Sequence, residues 1–196
     1  IAAVSEDEMR TILEYEDHAN SLKHFMRVLQ CSMRKHQKMS FALFDSELSH
    51  ILRSSEKLLY AIKEHDAQAQ ILTREFKIVD IIARFLHYFF VDPNIGVLLE
   101  ERKNERIEIV KLLQNFCDII LRSSQNNDLS HAYASQYIRV FIHSLLSSSS
   151  SSLFTFCTKS ESEALKNSII ILLYNFLWEK DLDTFGQLVF YQEPLF

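Results

Sequence analysis

Eight histidines and three cysteines are the residues here with the clearest capacity for chemistry, and their spacing leads away from it. A di-metal centre in a helical bundle takes two Glu-x-x-His pairs on facing helices plus further carboxylates. Only Glu47 and His50 stand at that spacing. No His-x-x-x-His, His-Glu-x-x-His or Cys-x-x-Cys occurs, so the usual zinc patterns are missing. His87 and His143 sit among apolar residues, where an imidazole bonded to a nearby carbonyl is expected. Cys31, Cys117 and Cys157 lie far apart in apolar helical contexts and are expected to be buried, reduced thiols. A phosphate cradle needs clustered glycines, and Gly96 and Gly186 are isolated. The expectation is a non-catalytic chain without metal or cofactor.

The sharper pattern is one of charge. On a helix near residues 20–38, Lys23, Arg27, Arg34 and Lys38 fall within about 60° of one another at the helical period. They lie apart from the apolar stripe of Leu22, Met26, Leu29 and Met33. Such a ridge is either a solvated helix face or a docking strip for an acidic partner or a nucleic-acid backbone. The formal net charge of −5 gives no overall field that would recruit nucleic acid. A protein partner is the first expectation and nucleic acid the alternative. The opening segment has the opposite sign, with Glu6, Asp7, Glu8, Glu14, Glu16 and Asp17.

The elements that must carry this ridge are helices. Turns in sheets consume glycine and proline, and this chain of 196 residues has two of each. No segment alternates with period two. Ser5 and Glu8 form a capping-box pattern. A break is expected near residues 17–20, where Asp17 and Asn20 interrupt the apolar face. Further helices are expected over 45–65, 67–91, a short turn after Pro93, about 107–121, 128–141, 164–178 and 182–191. Ser160 with Glu163 repeats the capping pattern before Ala164.

Together these describe an all-α single domain over 1–196, an irregular array of about seven or eight antiparallel helices. Its architecture is either a bundle or a helical-repeat (solenoid-like) stack. Residues 147–152 are six consecutive serines, expected to be a flexible connection. The longest apolar run, Ile169 to Trp178, is about half of a membrane span. The chain opens without Met and closes on apolar residues, which leads to the expectation of a piece of a larger intracellular protein. Trp178, Phe185, Phe190 and Tyr191 are then expected to pack on the remainder of that chain or on a partner subunit.

Overall fold

The computed structural model describes residues 3–35, 38–62, 67–125, 128–146 and 151–177. Within them the chain is all-α, and no strand occurs among the described residues. The α-helices are α1 (Glu6–Lys35), α2 (Lys38–Ala61), α3 (Ala67–Glu75), α4 (Ile78–Phe90), α5 (Ile95–Glu101), α6 (Arg106–Ser124), α7 (Asp128–Ser135), α8 (Ile138–Leu146), α9 (Ser152–Phe156) and α10 (Lys159–Leu177). A 3-10 turn, Lys103–Glu105, leads into α6.

The capping box that opens α1 forms as its spacing predicts. The Glu8 amide donates to Ser5 Oγ at 3.2 Å, and the Ser5 amide donates to Glu8 at 2.8 Å. The break expected at 17–20 does not occur, because tertiary packing overrides the interrupted pattern. Ala19 and Leu22 are buried, and His18 is held by Ser54 of α2, so the polar residues fit between two packed helices. α1 therefore runs unbroken for 30 residues. It pairs with α2 in antiparallel fashion: His18 meets Ser54, Ser21 meets His50, and Phe25 meets Phe44.

Two predicted long helices divide instead. Residues 67–91 split at Lys77, which takes a left-handed φ of 56°. The apolar stripe still runs through the kink, and the break lets α3 reach α6, where Gln70 Nε2 donates to the carbonyls of Arg122 and Gln125. Residues 128–141 likewise split into α7 and α8, closed by Tyr137 N–H donating to the Ala134 carbonyl. The helix after the serine run starts earlier than expected, because Thr158 and Glu161 form the capping box in place of Ser160 and Glu163. Glu161 is also gripped by Arg106 at 3.0 Å, which favours that earlier start. The run itself is not wholly a connection. Residues 147–150 lie outside the described residues, but Ser151 is buried, donates to the Phe90 carbonyl, and precedes α9.

Packing arranges the long helices in two rows. One consists of α1, α4 and α8, the other of α2, α6 and α10, with α1 against α2, α4 against α6 and α8 against α10. Antiparallel pairing holds within α1 and α2, whereas successive members of a row run the same way. Ser55 meets Asn115 and Leu59 meets Arg122 between α2 and α6. Arg106 meets Glu161 and Ser124 meets Asn175 between α6 and α10. Phe25 meets Phe85 and Gln30 meets Tyr88 between α1 and α4. The short helices return the chain between these pairs. α5 and α9 approach so closely that a Cβ on Gly96 would stand 2.8 Å from Ser152 Oγ, which accounts for glycine there.

One continuous apolar core fills the space between the rows. Phe25, Phe85 and Phe116 form a ladder across α1, α4 and α6, with ring centroids 5.3 Å apart at each step. α4 is buried on most of its circumference, as its apolar composition predicts. No single described helix is long and apolar enough to cross a membrane.

Candidate functional site

On α1, the residues that escape the core on the side away from α2 form a stripe at i, i+4 and i+7: Lys23, Arg27 and Gln30. Lys23 and Arg27 are exposed and make no ion pair among the described residues. His24, one residue round the helix, turns the other way and sits 3.6 Å from Glu47 of α2. The helical period places Arg34 on the stripe as well, within α1, though its side chain lies outside the described ones. Lys38 does not continue the ridge. α1 ends at Lys35 and Lys38 opens α2, because the chain reverses there to build the antiparallel pair.

The stripe leads into a groove that the sequence pattern gave no sign of. α4 forms its floor through Ala83, Arg84, His87 and Tyr88, α1 one wall through Gln30, and the other comes from Tyr137 in the turn before α8 and Val140 of α8. The cavity measures about 370 Å³. Ala83 makes the floor low, and Tyr88 is fixed against the α1 wall by the amide of Gln30, which donates to its hydroxyl at 2.9 Å. Among the described residues no carboxylate lines the groove, whereas Arg84 stands exposed at its floor and no ion pair forms on it. Asp80, one turn before Arg84, is occupied by the hydroxyl of Tyr133, which donates to it. Burial holds the Asp80 carboxyl above the usual carboxylate range, against the pull of Lys77 and Arg84.

His87 is exposed in this groove, in contrast to its expected place in the core. It lies on the narrow outward stripe of α4, the side facing away from α6. His143 of α8 is half-buried, and its pKa is lowered, first by burial and then by the nearness of His87. His87 and Arg84 thus border the slot, with a second imidazole, His143, close to His87.

The other predicted residues divide plainly. Cys31 is exposed on α1 rather than buried, since it stands on the edge of the apolar stripe next to Gln30. Cys117 is buried in α6, and burial, reinforced by Asp118, pushes its thiol far up. Cys157 is pushed up to about 12, again first by burial. Glu47 and His50 are each engaged with α1, through His24 and Ser21. Among the described residues, no three His, Cys, Asp or Glu side chains gather closely enough to hold a metal ion. Trp178, Phe185, Phe190 and Tyr191 lie outside the described residues, as does the helix expected over 182–191. Just before them, α10 exposes Ile170 and Ile171 on its outer side.

Lys23 and Arg27 were legible from the helical period. Arg84, His87 and Tyr137 were not, because they reach the site only through the stacking of α1, α4 and α8. Gln30 carried a partial signal, standing in register with the basic residues while lacking charge. No protein-family model, curated protein or solved structure matches this chain, and the site is characterised by its own geometry alone.

Proposed function

We propose that this chain is a non-catalytic protein-interaction scaffold, a domain of a larger intracellular assembly, and that it binds through the outward side of the α1, α4 and α8 row. One observation carries the reading: Lys23 and Arg27 stand exposed along a strip of α1 that leads to a groove with exposed Arg84 on its floor and no carboxylate among its described lining residues. Solvated lysines and arginines are common, but on a chain of net charge −5 they are ordinarily interspersed with acids. Same-sign side chains around an apolar slot supply what an interface needs, an anchor pocket and charges that orient the partner and raise its on-rate. Parallel stacking of helix pairs suits the same role, since stacked helical repeats present extended faces to partners.

The test is affinity capture from a lysate with quantitative mass spectrometry, comparing the native chain with the triple variant Lys23→Glu, Arg27→Glu and Arg34→Glu. A defined protein recovered at stoichiometric level and lost in the variant supports the scaffold. Recovery of nuclease-sensitive material alone sinks it in favour of the second reading, in which the same strip follows a nucleic-acid backbone. That second reading predicts affinity falling steeply with salt.

A further inference from the structure

Resting on the scaffold reading, we infer that the groove between α1, α4 and α8 is a peptide-binding site for an acidic segment of a partner protein, one that carries a single aromatic or bulky aliphatic anchor flanked by carboxylates.

The shape of the site limits its occupant. A cavity of about 370 Å³ is near the lower end of the roughly 300–1,000 Å³ that accommodates small ligands. It has room for one large side chain. Its walls suit such an anchor, with the rings of Tyr88 and Tyr137 and the aliphatic surface of Val140 and Ala83. Tyr88 is held in place by Gln30, so this wall is formed before anything binds.

The charges limit it further. Arg84 lies on the groove floor, while Lys23 and Arg27 lie along α1, reaching roughly 10 Å from Gln30 along the helix axis. A compact anion touches Arg84 or Arg27, not the whole strip. An elongated chain with acids on either side of its anchor engages them together. Elsewhere several cations are tied between helices: Arg102 by Asp45, Arg106 by Glu161 and Lys111 by Glu56. The groove differs in that its cations, Arg84 on the floor and Lys23 and Arg27 on the adjoining helix, border one apolar slot that a single segment can span. Arg84 also lies beside Tyr88 on the floor, so its guanidinium is placed to meet both the acid and the face of an aromatic anchor.

The experiment is a fluorescence-anisotropy titration of the full chain with a short labelled peptide in which one Phe is flanked on both sides by Glu. Two companion probes replace the Phe by Ala or the Glu residues by Gln. The expected result is saturable binding of the first peptide, weakened at least about tenfold by either change, the size expected of an anchor or a close charge. Arg84→Glu should abolish it and Arg84→Lys should retain part of it, while Lys159→Glu on α10 leaves it unchanged. Circular dichroism identifies any variant that fails to fold, and Arg84 is exposed, so replacement there removes no core contact.

Equal binding of all three peptides, or binding indifferent to Arg84→Glu, overturns the inference. So does saturable binding of a single-stranded oligonucleotide through Arg84 with no binding of the peptides. Capture of a protein partner that survives Arg84→Glu leaves the scaffold standing and removes the groove. Absence of any captured partner removes the scaffold, while the titration still decides the groove.

Discussion

The two rows of helices use charge in opposite ways. In the row of α2, α6 and α10, polar and ionic side chains tie neighbouring helices together: Glu56 to Lys111, Ser55 to Asn115, Arg106 to Glu161, Ser124 to Asn175, and Asp45 to Arg102 at the entry to α6. In the row of α1, α4 and α8, the helices are joined by rings, Phe25 on Phe85, with one neutral bond from Gln30 to Tyr88. Lys23, Arg27 and Arg84 of that row point outward and make no ion pair to a neighbouring helix among the described residues. The contrast shows where to look for function. Charge that is consumed inside the fold sets register, and charge that is left over on an ordered face is available to something else.

The largest expected effect breaks what the two rows share. Phe85 is fully buried and stacks on both Phe25 and Phe116, so it couples α1, α4 and α6. Phe85→Ala should destabilise by about 3–5 kcal/mol, the range for deleting a large core ring, and denaturant unfolding will measure it. A loss below about 1 kcal/mol would show that the rows do not share this ladder.

A smaller effect is expected within the polar row alone. Asn115 is 9% exposed and donates to Ser55, itself 2% exposed. Asn115→Ala leaves a cavity and a poorer partner for Ser55, at a cost of about 1–3 kcal/mol. A double-mutant cycle with Ser55→Ala separates the bond from the lost packing.

Between the rows stands His18 of α1, hydrogen-bonded to Ser54 of α2 at 2.7 Å. Its pKa is lowered, chiefly by burial, with Glu14 pulling it up and Lys57 pushing it down. A lowered base binds fewer protons folded than unfolded. Its contribution is therefore fully present above the ordinary histidine pKa of about 6.5 and is lost as pH falls below that value. Stability measured from pH 7.5 to 5.5 should decline, and His18→Gln should flatten that decline. An unchanged slope in the variant would assign the acid sensitivity elsewhere.

The smallest effect is expected on the outward strip. Lys23→Glu with Arg27→Glu should alter stability by no more than about 0.5 kcal/mol, as for surface changes away from specific contacts, while partner capture is lost. A large loss of stability would show these cations to be structural and would erase the contrast between the rows.

The sequence was most readable where one local rule acted alone. Gly and Pro scarcity gave the all-α class, the Ser5–Glu8 spacing gave the first cap, and the helical period placed Lys23 and Arg27 outside the core. It was least readable where two local rules competed. Asp17 and Asn20 resembled a break until packing against α2 held α1 straight, and Thr158 outcompeted Ser160 as a cap because Arg106 reaches Glu161. The kink at Lys77 left no trace in the apolar stripe, since burial continues on the same side through both helices.

Periodicity by itself determined that this chain forms amphipathic helices with a basic face on the first, because side-chain direction on a helix follows from residue spacing. Which face meets which was decided only by tertiary packing. Arg84, His87 and Tyr137 stand 61, 64 and 114 positions after Lys23 and share no helix with it, and stacking alone brings α4 and α8 beside α1.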